Sequence, residues 1–279
     1  MAIPILKNWK TYFTTPDEGL GSSYERIVLN KKLATLCKHF QISKVLEVPS
    51  FGFTGLSGIN SVFPAQQGID ITLMDNNKSR IGMIKKIWNK LNLPVSIEYS
   101  PDFRKLPFED NAFDLSWNFS ALWFVDDISN FLAELSRVTA KAIFICVPNR
   151  SGLGYIFQKI QGKEELKTQL MEENITPKNF IRELKKLGWM LIDNKFIDCP
   201  PWPDIGMPKE KFLKIFGLHN LMKKKTHKPI SIMDYYSGKN PQFPDEMMKH
   251  YWFEKKVPSF IKYFWAHHKY FLFIPSKEK

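Results

Sequence analysis

The sequence predicts an α/β fold built on a parallel, doubly wound sheet that takes ligands at the carboxyl ends of its strands. Three observations lead there. Short apolar runs alternate with segments of helical periodicity from Lys44 to Val147. A glycine-containing loop, Pro49 to Gly55, follows the first run. The polar residues Glu47, Asp75, Asp102 and Asn118 all fall at or near the ends of predicted strands, and their coincidence weighs more than any one of them.

Residues 1 to 22 read as irregular, because Pro4, Pro16, Gly19 and Gly21 interrupt any long element. Ser22 or Ser23 can cap a helix from about Tyr24 to Phe40, with Ile27, Leu29, Leu33, Leu36 and Cys37 largely on one face. The first strand begins near Lys44 and includes Val45 to Val48. Its loop leads to Leu56–Asn60, which can open a helix. Glycine lets backbone approach a ligand, and a helix start offers free N–H groups. Ile69 to Met74 is the second strand. Asp75 at its tip can accept from two ribose hydroxyls, or cap the following helix. That helix carries Ile81, Ile84, Ile87, Trp88 and Leu91 and stops at Pro94.

Val95 to Tyr99 and Phe113 to Asn118 are the third and fourth strands. A helix from Ile128 to Val138 precedes the fifth, Ala142 to Val147. Residues 151 to 173 look helical and polar. Thr176 and Pro177 start a helix that ends at Gly188. Trp189 to Ile197 is the sixth strand and Tyr270 to Ile274 the seventh. Between them lies an insertion, Pro200 to His268, rich in proline, lysine and aromatics.

Composition narrows the function classes. A chain of 279 residues with 44% hydrophobic residues suits one elaborated domain with a full core. It has no apolar run long enough for a membrane span, and its first residues do not read as a signal peptide. Cys37, Cys146 and Cys199 are too scattered for a disulfide framework or a zinc site, which points to the cytoplasm. The net charge of +12 allows nucleic acid, anionic lipid or acidic small molecules as partners, but the lysines are spread along the chain as on a solvated surface. The histidines show no metal spacing. Adjacent residues in a strand point to opposite faces, so His267 and His268 are not expected to converge on one ligand.

From Asp102 to Asp114 the chain reads Asp-Phe-Arg-Lys-Leu-Pro-Phe-Glu-Asp-Asn-Ala-Phe-Asp, followed by Asn118-Phe-Ser-Ala-Leu-Trp-Phe-Val-Asp-Asp127 and Leu132-Ala-Glu-Leu-Ser-Arg-Val138. These segments resemble class I S-adenosylmethionine-dependent methyltransferases, nearest the small-molecule group that includes ubiquinone and menaquinone methyltransferases. The resemblance covers about Tyr24 to Pro148. It implies a Rossmann-like seven-stranded sheet, mostly parallel with the last strand antiparallel, and S-adenosylmethionine as cofactor. It implies that Glu47 and the backbone of Ser50 to Gly55, with Gly52 and Gly55, hold the amino-acid end. By the same resemblance Asp75 takes the ribose hydroxyls, Asn76 lies beside the adenine, Asp102 and the Phe103 N–H bind it, and Asn118 or Phe119 lines the methyl side. One departure stands out. Pro49, Ser50 and Phe51 replace the family's first glycines, and Pro49 removes a backbone donor.

The whole chain is thus read as one methyltransferase domain. Residues 1–43 form a cap and helix, 44–199 the cofactor core, 200–268 a substrate lid, and 269–279 the last strand and tail. The expected acceptor is small and hydrophobic or aromatic. Tyr235, Tyr236, His219 and His250 are unranked candidates for a base. The fourth strand ends in Asn118-Phe-Ser-Ala rather than the Asn/Asp-Pro-Pro-aromatic tetrapeptide of many enzymes that methylate amino bases, which makes nucleic acid an unlikely substrate. A non-catalytic relative with a decayed cofactor site is the alternative from another class. The basic, aromatic insertion also suits peripheral contact with anionic membrane.

Overall fold

The computed structural model describes residues 3–15, 17–161, 169–202 and 230–276. Helix α1 spans Ile3–Thr14, strand β1 Asp17–Glu18 and α2 Leu20–His39. Then come β2 Lys44–Glu47, α3 Val62–Gln66, β3 Asp70–Asp75, α4 Lys78–Lys90, β4 Ser96–Tyr99, β5 Phe113–Phe119, α5 Ile128–Val138 and β6 Thr139–Pro148. The chain continues through α6 Leu153–Gln161, α7 Pro177–Lys186, β7 Trp189–Ile197, β8 Ile230–Ser231 and α8 Ile232–Tyr236. It ends with α9 Phe243–Met248, α10 Tyr251–Lys256, α11 Ser259–Trp265 and β9 His268–Pro275.

The seven-stranded sheet has the order β4-β3-β2-β5-β6-β9-β7. β2 pairs in parallel with β3 and β5, β3 with β4, and β5 with β6. Only β9 runs antiparallel, between β6 and β7. The central strands are apolar on successive residues because both faces are covered. Val45, Leu115, Trp117 and Phe144 belong to the core beneath α2, α3 and α4, while Leu46, Ile143 and Ile145 belong to the core beneath α5 and α7. This alternation is the period of two that a pleated strand imposes.

Three local readings are corrected: the N-terminal segment, the start of α2 and the turn after the Pro49 loop. The first residues are not irregular: Ile3–Thr14 is helical, and Pro4 lies in the first turn, where its missing N–H costs nothing. α2 begins at Leu20 behind Gly19, so Gly21 lies inside it. Within 151–173, the described residues hold α6 and the start of a 3-10 turn, Glu172–Ile175, and residues 162–168 lie outside the described residues. After the Pro49 loop, Leu56–Asn60 forms bends and turns rather than a helix, with Gly58 at φ +72. A Cβ there would run into Ile84, so the turn requires glycine.

The described part of the insertion is β8 and four short helices. β8 pairs with β1, α9 packs on α2, and Gln66 Nε2 donates to the Tyr236 carbonyl at 2.8 Å. Trp202 meets Tyr24 edge-on at 5.7 Å.

Candidate active site at the carboxyl ends of the strands

Three features meet at this edge of the sheet. The first is a cleft of about 370 Å³ beside the tips of β2 and β3. Phe51, Phe103 and Phe124 supply rings to it, and Asn76, Asn77 and Asp126 supply polar edges. Phe51 and Phe124 face each other at 5.0 Å between centroids. Trp123 also lines the cleft, and its buried indole N–H has no hydrogen-bond partner. Flat apolar walls with a few polar groups suit a heteroaromatic ring.

The second is the Pro49–Asn60 loop, held by a buried polar network. Glu47, fully buried, accepts from Asn60 Nδ2 at 3.0 Å and Ser61 Oγ at 2.6 Å. Burial pushes its carboxyl up to about 7 against the pull of those two bonds. Asn60 also accepts from Arg26 at 2.8 Å, and Arg26 forms a fully buried ion pair with Glu18. Glu18 in turn accepts from the Leu56 N–H at 3.1 Å. A Cβ on Gly55 would strike the Glu18 carboxylate, and one on Gly52 would strike the Phe119 and Ser120 carbonyls. Those two glycines serve close packing of the loop against β1 and the tip of β5.

The third is the tip of β5 itself. Asn118 is completely buried, and neither polar atom of its side chain has a partner. The buried Ser120 hydroxyl is also without one. Beside them, the His268 ring lies 4.5 Å from that of Phe119. His268 Nδ1 is 2.8 Å from Glu25 and 3.5 Å from Asp198, and His267 Nδ1 is 2.7 Å from the same Asp198 oxygen. Both histidines therefore reach one carboxylate, that of Asp198. β9 begins at His268, so His267 precedes the pleat.

Burial opposes charge on His268, but Glu25 and Asp198 outweigh it and raise its pKa. Burial raises Asp198, yet His267 and His268 hold it below the usual carboxylate range. The Nε2 of His268 is buried without a partner.

Residues 54–146 match the family model described as a methyltransferase domain. Over residues 54–146, then, the chain is a methyltransferase domain, and the class I S-adenosylmethionine-dependent kind is the one whose fold it has. Its sheet agrees with solved structures of low sequence identity. A sarcosine dimethylglycine methyltransferase candidate from Galdieria sulphuraria aligns with a TM-score of 0.51 and 15% identity, over 88% of this chain and 85% of that one. The YcgJ protein of Bacillus subtilis aligns with a TM-score of 0.51 and 10% identity, over 89% and 99%. No curated protein matches the sequence.

Within this methyltransferase domain, the predicted site residues divide. Asn76 and Phe103 line the aromatic cleft. Asp75 is fully buried and already paired: Arg80 donates to its two oxygens at 2.7 and 2.6 Å, and Ser50 Oγ donates at 3.1 Å. Arg80 lies 3.7 Å over the Phe51 ring, with Trp9 of α1 on it at 5.3 Å. Asp75 is not the cap of α4, since Asn77 accepts the Arg80 N–H at 3.0 Å. Asp102 sits at the surface beside Arg104, 3.5 Å away. The Phe103 N–H donates to Ser100 Oγ at 3.0 Å. Glu47 is turned into the loop's own network.

The residues thus fit the adenine end of S-adenosylmethionine through the cleft walls, and the unpartnered Asn118 and Ser120 offer hydrogen bonds nearer the loop. The ribose position is contested by Arg80. Sequence reasoning missed Arg80, Glu25, Asp198 and His268. The only signal for Arg80 is its place in the first turn of α4, just beyond the strand that ends at Asp75; nothing local marks the other three. Of the candidate bases, Tyr236 is buried with its hydroxyl accepting from Asn30 at 3.2 Å, and Tyr235 packs on Phe243. His250 meets Trp202, and His219 lies outside the described residues.

Proposed function

We propose that this protein transfers a methyl group from S-adenosylmethionine to a small, hydrophobic or aromatic acceptor seated near Phe119 and His268. The observation that carries the reading is the pair of buried, unpartnered polar side chains at the tip of β5, Asn118 and Ser120. A buried amide without partners costs stability, and a ligand that brings its own donors and acceptors removes that cost. When bound, S-adenosylmethionine supplies a methyl group already activated on a sulfonium, so the protein's work is alignment and exclusion of water. In this reading the cleft walls hold the adenine, Asp75 takes the ribose once Arg80 yields, and Asn118 and Ser120 fix the end nearest the methyl. Glu47, Gly52 and Gly55 shape the loop rather than touch the cofactor. Asp102 contributes from the rim.

An acceptor with an ionisable proton needs somewhere to lose it. His268 is the group we assign: its neutral form takes the proton from the acceptor's heteroatom, and Glu25 and Asp198 hold the imidazolium that results. The insertion is read as the acceptor-side cover, because Glu254 of α10 accepts from both Tyr24 Oη and the Cys199 N–H at 2.9 Å. Three buried free cysteines suit a cytosolic setting.

Calorimetry with S-adenosylhomocysteine tests the reading, with micromolar affinity expected, about −8 kcal/mol. Arg80→Ala leaves Asp75 as a buried carboxylate without its cation. The variant should melt earlier than wild type, and S-adenosylhomocysteine should raise its melting temperature by more than it raises the wild type's. Asp75→Ala should abolish most of the binding. The Arg80–Asp75 pair also favours a second reading, a non-catalytic relative whose ribose acid has been taken over. No binding in wild type or in Arg80→Ala would establish that reading instead.

A further inference from the structure

We infer that the outer face of α10 and α11 is a docking surface for a bilayer containing anionic phospholipid. α11 has no buried side chain among its seven residues. Phe260 is 70% exposed, Phe264 53% and Tyr263 47%, and Trp252 of α10 is 55% exposed. Four large aromatics on two adjacent short helices exceed the scatter of single apolar residues that an ordinary surface carries. Their type matters as well: Trp and Tyr favour the headgroup level of a membrane, and Phe goes deeper.

Charge decides the occupant. The same two helices form one wall of a cleft of about 500 Å³, which α2, β7 and β9 complete. Six lysines line it. Lys32 and Lys195 are drawn to Asp193 at 3.3 and 3.4 Å. Among the described residues Lys31, Lys255, Lys262 and Lys269 have no ion-pair partner. The one carboxylate that lines the cleft, Glu254, is buried and spent on Tyr24 and Cys199. Lys262 belongs to both features, since it lines the cleft and lies between Ile261 and Tyr263 on α11. Aromatics that enter the interface therefore bring unpaired ammonium groups to the depth of lipid phosphates. A protein partner would ask for an apolar patch with a mixed polar rim, whereas here the rim carries one sign.

The surface also leads to the proposed acceptor site, because α11 runs through Ala266 into His267 and His268. The inference rests on the methyl-transfer reading only for what the surface would collect, a membrane-dissolved acceptor. Binding to vesicles does not depend on that reading.

The test is sedimentation of the full chain with vesicles of phosphatidylcholine, with or without phosphatidylglycerol. Binding is expected to the mixed vesicles, with a blue shift of tryptophan emission, and should weaken as salt rises. Phe260→Ser with Phe264→Ser should lower partitioning about tenfold or more. Lys255→Glu with Lys262→Glu should remove the preference for phosphatidylglycerol. These side chains are exposed or half-exposed, so unchanged circular dichroism and melting are expected and separate lost docking from lost folding. Absence of binding, or equal binding to both vesicle types, overturns the inference. So does full displacement by millimolar inorganic phosphate or by duplex RNA, which would mark the cleft as a site for soluble anions. Calorimetry with S-adenosylhomocysteine on the same preparation distinguishes the two proposals: vesicle binding without cofactor binding leaves the surface standing and removes the methyltransferase reading.

Discussion

In the proposed reaction, His268 is the residue on which the chemistry turns. Burial works against its charge, but Glu25 and Asp198 raise its pKa above the usual 6.5, so its neutral, proton-accepting form gains population only as pH rises. The rate of a reaction that needs its neutral form should rise with pH and level off above that raised value. His268→Gln should lose the pH-dependent limb and about 10²–10⁴-fold in rate, the usual range for a general base. A profile unchanged in the variant would remove it from the mechanism. Glu47 makes a separate statement, about stability. Its folded carboxyl is raised from 4.5 to about 7, so its contribution is fully present below pH 4.5 and is lost as pH rises through about 7. The loss amounts to about 3 kcal/mol for a shift of that size. Melting temperature measured across this window should fall for wild type, and Glu47→Gln should flatten the slope.

Among the elements, the Pro49–Asn60 loop depends most on its neighbours. It lacks the family's first glycines, and it is held through Glu18 on β1 and Arg26 on α2, which meet without exposure. Arg26 also lies 4.0 Å over the Phe53 ring. Removing one partner of a buried pair leaves the other charge uncompensated, and such losses run to about 3–5 kcal/mol. Arg26→Ala should therefore lower chemical stability by that order and loosen the loop. Denaturant titration measures the first, and hydrogen exchange at Leu56, whose N–H donates to Glu18, reads the second. Exchange at Leu56 unchanged from wild type would show that the loop stands without the pair.

At the scale of the whole molecule, the charge of +12 is not a nucleic-acid groove in this reading. The lysine-lined cleft argued above shares no lining residue with the aromatic cleft beside β2 and β3. Binding to duplex or single strands should be weak and sequence-indifferent, and should fall steeply between about 50 and 200 mM salt, as each neutralised phosphate releases counterions. A complex that survives physiological salt, measured by fluorescence anisotropy, would overturn the small-molecule acceptor. Among the described residues no helix is long and apolar enough to cross a membrane.

The sequence by itself determined the strands of the seven-stranded sheet and the acid at the tip of β3, whereas Asn76 and Phe103 are named only through the family resemblance. The strands and the acid are legible because periods of 2 and 3.6 are local, and because an acid after an apolar run is visible without knowing its neighbours. It did not show helix α1, since Pro4 reads as a breaker unless its place in the first turn is known. Only the tertiary structure decided what the acids do. Asp75 belongs to Arg80, Glu47 to Asn60 and Ser61, and the proposed proton acceptor is assembled from α2, the end of β7 and the start of β9. The physical reason is that a carboxylate's role is set by the charges and donors within a few ångströms of it. In a doubly wound sheet those come from segments far apart in the chain, brought together where β9 inserts antiparallel between β6 and β7.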